Sequence, residues 1–164
     1  MSDDIYPWSG DFSNLGPDDQ RTVAQLVVDG KAVLGTVDVL LIRLRRTRKI
    51  ALLREAGTNR IVAAAAWKKP ADGYRSSTFT KAGAPIAGFE TALELGYVVV
   101  SPSMQGKQLS GGLVTAIVEQ VTTPTFATTD SNTMCNNLKR SGFIRVGGEW
   151  QGEKGRLSLW TITP

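Results

Sequence analysis

Apolar and polar positions along this chain repeat with two different periods, and the switches between them mark its elements. "LGPDDQRTVAQLVVDGKAV" opens on Pro17, places Asp18 and Asp19 where a helix dipole is positive, and reaches Gly30 as a stop, which predicts a helix. Val37, Leu40, Leu41 and Leu44 then recur at helical spacing, with arginines on the outer face. "KIALLREAGTNRIVAAAAWK" changes to strand character, two apolar runs joined around Gly57–Asn59 as in a hairpin. Its four alanines suit a helix equally well, but Ile61, Val62 and the preceding turn favour a strand.

"PADGYRSSTFTKAGAPIAGF" shows no clear period and reads as a long polar loop, a kind that is usually functional or mobile. "ALELGYVVV" predicts a buried strand, "GGLVTAIVEQV" a helix and "PTFATT" a short strand. "DSNTMCNNLKRSG" predicts a helix capped by Asp130 or Ser131 and stopped at Gly142. "FIRVGGEW" and "RLSLWTITP" close the chain as strands across a Gly/Glu/Lys turn, expected to pair antiparallel. The sum is an α/β fold in one domain over residues 1–164, with no internal repeat.

Composition narrows the chemistry. The chain has 164 residues, 41% apolar and 21% charged, which is ordinary for a soluble globular domain with one core. No apolar run approaches the ~20 residues that span a bilayer, and "MSDDIYPWSGDF" lacks the apolar core of a secretory signal. Cys135 is the only cysteine, which excludes an internal disulfide framework and suits a cytoplasmic protein. There is no histidine, so Ser–His and Cys–His nucleophile pairs and most zinc sites are excluded, and no metal is expected. Proton transfer must fall to Glu, Asp, Tyr, Lys, Cys or water.

The net charge of +4 is unevenly spread: Arg43, Arg45, Arg46, Arg48 and Lys49 cluster, while Asp3, Asp4, Asp18 and Asp19 lie near the N-terminus. The basic cluster reads either as the solvated face of a helix or as a patch for an anionic cofactor or nucleic acid.

"SPSMQGKQLSGGLV", Ser101 to Val114, follows the run "YVVV" directly. A strand that stops, turns through small and polar residues and starts a helix can hold a phosphate on backbone N–H groups. Alone, it is equally a plain strand-to-helix turn. The next landmark is "TTDSNTMCNNLKRSGFIRVG", a helix running into Gly-Phe and then a strand. Together, in this order, the two stretches make residues 94–160 resemble the GNAT superfamily of acyl-CoA-dependent N-acyltransferases. That family carries Gln/Arg-x-x-Gly-x-Gly/Ala after a Val-x-Pro turn. Val100-Ser101-Pro102 matches the turn and Gln105 the first signature position, whereas Gln108 and Ser110 replace the two small residues.

The resemblance implies a central mixed, mostly antiparallel sheet of six to seven strands with flanking helices and a splayed cofactor-binding strand. It implies acetyl-CoA, or another acyl-CoA, with its pyrophosphate on Gln105, Gly106, Lys107, Gln108, Leu109, Ser110 and Gly111 and its pantetheine arm along Val98, Val99 and Val100. It places a general-base carboxylate at Glu94, with Glu90 as substitute. The family's thiolate-protonating Tyr falls on Leu138 and its pantetheine-contacting Asn on Ser131, beside Asn132. The usual acid is therefore missing, and Cys135, Tyr97, Asn137 or water are the candidates to replace it. Trp67, Lys68, Lys69, Tyr74, Phe79 and Lys81 precede the catalytic strand and could line an acceptor pocket, the lysines suiting an acidic acceptor or the adenosine phosphate. They read equally well as a core Trp and solvated lysines.

Three functions remain in view. One is transfer of acetyl from acetyl-CoA to a primary amine, on a small molecule or a protein, by a monomer or homodimer. The second is a nucleic-acid-directed protein acting through the arginine cluster. The third is a degenerate CoA-binding or interaction module that has lost turnover.

Overall fold

A computed structural model describes residues 4–31 and 33–164; Asp3 and Ala32, each within a stretch read above, lie outside the described residues. In chain order the elements are β1 (Ile5–Gly10), α1 (Pro17–Asp29), α2 (Val37–Leu44), β2 (Lys49–Glu55), β3 (Ile61–Lys68), α3 (Tyr74–Ala82), β4 (Leu93–Val100), α4 (Ser110–Val118), β5 (Thr125–Thr129), α5 (Asn132–Arg140), β6 (Ile144–Gln151) and β7 (Arg156–Ile162). The strands form a seven-stranded sheet in the order β1-β2-β3-β4-β5-β7-β6. β4 and β5 are parallel, while β1–β2, β2–β3, β5–β7 and β6–β7 are antiparallel. The mixed, mostly antiparallel sheet and the antiparallel closing pair expected from the sequence are thus present. Among the described residues, no helix is long and apolar enough to cross a membrane.

The chain divides into two compact units, residues 1–68 with 96–120, and 69–95 with 121–164. In the first unit, Ile50, Leu52, Ala64 and Ala66 pack with Val23, Val27, Leu40 and Leu44 of α1 and α2. Successive strand residues point to opposite faces, so Ala51, Leu53, Ala63 and Ala65 face the other way. They are equally buried, and α4 packs against β2 and β3. The alanine run is therefore a strand covered on both faces, where small side chains let helices approach closely. Arg54, also buried, ends this core by pairing with Asp19 at 2.8 Å and donating to the Asn59 carbonyl at 3.1 Å.

In the second unit, Phe79 of α3 meets Phe126 of β5 edge-on at 5.8 Å between centroids and stacks on Phe89 at 5.9 Å. Ala82, Ala92 and Leu159 complete this core. α5 is capped by Ser131, whose hydroxyl accepts from the Met134 N–H at 3.2 Å, which settles the choice between Asp130 and Ser131.

Two elements depart from the sequence reading. The stretch expected to be a polar loop contains α3, bounded by Gly73 (φ 78°) and Gly83 (φ 66°) in the left-handed region. Its buried face is only Thr78, Phe79 and Ala82, too few positions to display a helical period. β1 was not expected at all. It lies at the sheet edge, where Pro7 can sit in a strand because its missing N–H need not join a ladder. The arginine cluster is exposed but mostly lies beyond the helix it was assigned to: α2 ends at Leu44, and Arg45, Arg46 and Arg48 occupy the turn into β2. Cations there suit the negative end of the helix dipole.

Gly147 of β6 tests the placement of α3. It adopts φ 67°, and an added Cβ would run into the Ala82 carbonyl at the end of α3. Gly147→Ala is expected to lower stability by about 2–3 kcal/mol in denaturant titration, whereas Gly148→Ala, whose Cβ meets open space, stays within about 0.5 kcal/mol. Equal effects at the two positions would contradict the close approach of Ala82.

Candidate functional site: strand β4 and the loop after it

β4 reads Leu-Glu-Leu-Gly-Tyr-Val-Val-Val, apolar enough to be held inside the sheet. At its start it pairs in parallel with β5, Leu93 opposite Thr125 and Glu94 opposite Phe126. Midway, Tyr97 takes φ 54°, a left-handed conformation that costs a side-chain-bearing residue about 1–2 kcal/mol. A left-handed residue inside a strand turns the backbone locally and so changes the direction of the N–H and C=O groups that follow. Those groups belong to Val98, Val99 and Val100, of which Val99 is buried and its neighbours half-buried. The Tyr97 ring lies beneath the Lys68 ammonium, 4.5 Å from its centroid.

Beyond Val100 the chain makes a 3-10 turn over Pro102–Met104, anchored by the buried Met104. Gln105 folds back so that its side-chain amide donates to the Val100 carbonyl at 3.3 Å. The loop then passes through two left-handed residues, Gly106 (φ 81°) and Gln108 (φ 61°), before α4 begins at Ser110. Gln105 to Gln108 are exposed, and Leu109, Ser110 and Gly111 are half-buried. α4 has no side-chain cap, and helix geometry gives the Gly111 and Gly112 N–H groups no intrahelical acceptor. Open space surrounds the positions of Cβ atoms added at Gly106 and Gly112. The arrangement is an exposed loop running into a positive helix end whose first N–H groups lack intrahelical acceptors, with one ammonium, Lys107, in the loop. Such a cradle fits a phosphate or pyrophosphate.

Gln108 is the departure from the signature that the backbone makes informative. It stands at a signature position where a small residue is expected, and its backbone adopts the geometry for which glycine is suited. The loop therefore keeps the shape without the residue that makes it easy.

Glu94 lies upstream on β4, 9% exposed, and belongs to the second unit with Cys135, Ser131 and Asn132. Glu90 is exposed and accepts from the Gly88 N–H at 2.6 Å. Cys135 is half-buried, its Sγ 3.7 Å from Ser158 Oγ, which in turn accepts from the Trp160 indole at 2.8 Å. Ser131 is occupied as a helix cap, and Asn132, exposed, opens α5. Asn137 is buried, and Leu138 is completely buried, a core residue where the family carries its acid.

Of the acceptor candidates, Trp67 is 3% exposed within β3 and Phe79 is core, while Lys69 and Lys81 are exposed. Tyr74 is exposed, its hydroxyl 3.0 Å from Thr128 Oγ1.

Three features escaped the sequence reading. Tyr97's backbone carried no signal except Gly96 beside it. Glu55 and Arg60, flanking the β2–β3 turn, belong to no sequence motif. The Glu55 carboxyl is held below its ordinary 4.5, chiefly by the hydrogen bond from Thr58, then against some burial by the charges of Arg60 and Lys107. A depressed carboxyl stabilises the fold at and above the ordinary carboxylate range, and that contribution is lost as pH falls through the lowered value.

No family model matches the chain, and no curated protein does. Solved structures do. An acyl-CoA N-acyltransferase from Pseudomonas aeruginosa aligns at TM-score 0.65 over 97% of this chain and 99% of its own, at 12% identity. Salmonella typhimurium yncA, solved with its cofactor acetyl-CoA, aligns at TM-score 0.65 over 97% and 93%, at 12% identity. A GNAT family acetyltransferase from Elizabethkingia anophelis with acetyl-CoA bound aligns at TM-score 0.58 over 99% of both chains, at 13% identity. The chain has the GNAT fold.

Strain at Gln108 is measurable. Gln108→Gly is expected to raise stability by about 0.5–1 kcal/mol, and Gln108→Val to lower it by at least about 1 kcal/mol, in denaturant titration. A glycine variant less stable than the parent would contradict the left-handed loop.

Proposed function

We propose that the chain is an acyl-CoA-dependent N-acyltransferase, residues 1–164 acting as one GNAT-like domain, and that it transfers acetyl from acetyl-CoA to a primary amine. One observation supports this most: a strand with a left-handed residue at its middle runs into a loop with two more left-handed residues and a helix start without a side-chain cap. That is a backbone built to present donors, on a fold whose solved relatives include two with acetyl-CoA. In this reading the loop from Gln105 to Gly111 holds the pyrophosphate, and Val98, Val99 and Val100 offer backbone partners to the pantetheine arm. Ser131 and Asn132 are further cofactor contacts. The chain is assigned to the cytoplasm, and the acceptor amine is a small molecule or a protein side chain.

Bound acetyl-CoA would supply an activated acyl group as a thioester. An alkylamine is almost wholly protonated at neutral pH and attacks only when neutral. Glu94, directly or through a water, takes that proton. The N–H groups near Val99 stabilise negative charge on the acyl oxygen as the amine adds and the thiolate leaves. No tyrosine stands at the family's acid position, and Leu138 is sealed in the core. The leaving thiolate is a tolerable leaving group without it, and Cys135 is a weaker candidate because its sulfur faces Ser158. Trp67, Lys69, Tyr74 and Lys81 remain the candidate acceptor-side residues. The buried Leu138 also favours a second reading, cofactor binding without transfer.

Acetyl-CoA at about 1 mM is expected to raise the melting temperature, by the equivalent of about 2.7 kcal/mol if it stands 100-fold above Kd. No shift would sink the cofactor reading. Across a panel of primary amines, thiol release marks transfer, and its absence with binding intact favours the binding module. Glu94→Gln should then lower kcat about 10²–10⁴-fold with acetyl-CoA affinity retained; full activity rejects Glu94 as the base.

A further inference from the structure

The tip of the β2–β3 hairpin carries charges that the acyl-transfer reading leaves unused. Glu55 ends β2, Thr58 lies in the turn, and Arg60 immediately precedes β3. Thr58 Oγ1 donates to Glu55 Oε1 at 2.9 Å, and Arg60 Nη2 stands 3.4 Å from Glu55 Oε2. Backbone pairing ties this region to the candidate cofactor loop. The Ser101 N–H donates to the Val62 carbonyl at 2.8 Å, so the residue opening the loop is bonded to the second residue of β3. Lys107, within the loop, lies in electrostatic reach of the same Glu55 carboxylate. The carboxylate is paired with Arg60, whose side chain is half exposed. An exposed pair of this kind adds little to stability, so its partners can exchange at small cost.

We propose that Arg60 is a phosphate-reading residue of the cofactor site, held by Glu55 until a phosphate of the ligand replaces that carboxylate. The proposal rests on the acyl-CoA reading above. A guanidinium offers a fixed fork of donors that matches phosphate oxygens, and it keeps its charge at every physiological pH. Lys107 supplies a point charge from the loop itself. Glu55 repels an incoming anion and competes for Arg60, so it sets the level of negative charge a ligand must bring. Pyrophosphate or a terminal phosphate meets that level, whereas an uncharged pantetheine gains nothing from it. After the exchange Glu55 keeps its hydrogen bond from Thr58, so the displaced carboxylate is still partnered.

Isothermal titration of the full chain with CoA, dephospho-CoA and pantetheine tests the exchange. Arg60→Gln should weaken CoA binding about five- to tenfold and leave pantetheine unaffected, and Arg60→Lys should restore part of the loss. Glu55→Gln should tighten CoA binding about two- to fivefold by releasing Arg60 and removing a negative charge beside the loop. A loss shared by CoA and dephospho-CoA places Arg60 on the pyrophosphate; a loss confined to CoA places it on the terminal phosphate. Parental CoA affinity in Arg60→Gln, or no tightening in Glu55→Gln, overturns the proposal while the acyl-CoA reading stands. Failure of the parent chain to bind CoA overturns that reading and this proposal with it.

Discussion

The conformation of β4 is the constraint on which the rest depends. Its first residues sit in a parallel pairing at Leu93 and Glu94, and its last runs to Ser101, bonded to the start of β3. Between them Tyr97 turns its backbone into the left-handed region, a departure that a strand tolerates only when packing holds both ends. Buried Leu93, Leu95 and Val99 supply that hold, each worth about 1.5–3 kcal/mol on burial, enough to offset the local strain. The consequence is a strand whose later backbone groups need not follow the regular ladder, leading directly into a loop with two more left-handed residues. Two of the four left-handed residues other than glycine among the described residues, Tyr97 and Gln108, fall in this one segment, and that segment is the candidate site.

Much of the frame was legible because its signals are local. Gly30 and Ser131 mark helix boundaries through backbone chemistry that acts within one turn, and the structure uses both of them. The alanine run was legible as a strand from Ile61 and Val62, although burial on both faces, the reason it is alanine, needed the helices in place. α3 and β1 were not legible. α3 buries three residues and is bounded by glycines that read as loop, while β1 is short and carries a proline. For both, tertiary packing decides what propensity leaves open.

The site divides the same way. The order of strand, polar loop and helix was legible and recurs as β4, the loop after it and α4, but the sequence could not say that Gln108 would take a glycine's conformation. Leu138 illustrates the opposite outcome. Its position counted back from Gly142-Phe143 pointed to a missing acid, and the structure puts a fully buried leucine there, packed as core. Arg60 gave no sequence signal, because what ties its hairpin to the loop is the Ser101–Val62 backbone bond, between residues far apart in the chain.

The central claim is that backbone N–H groups of the loop after β4 bind the phosphates of an acyl-CoA. Amide chemical shifts followed by two-dimensional NMR during a CoA titration test it most directly. The account predicts that Gly106, Lys107, Gln108, Leu109 and Gly111 move most and saturate together. Saturable binding that leaves these five amides unmoved while shifts gather elsewhere would contradict it.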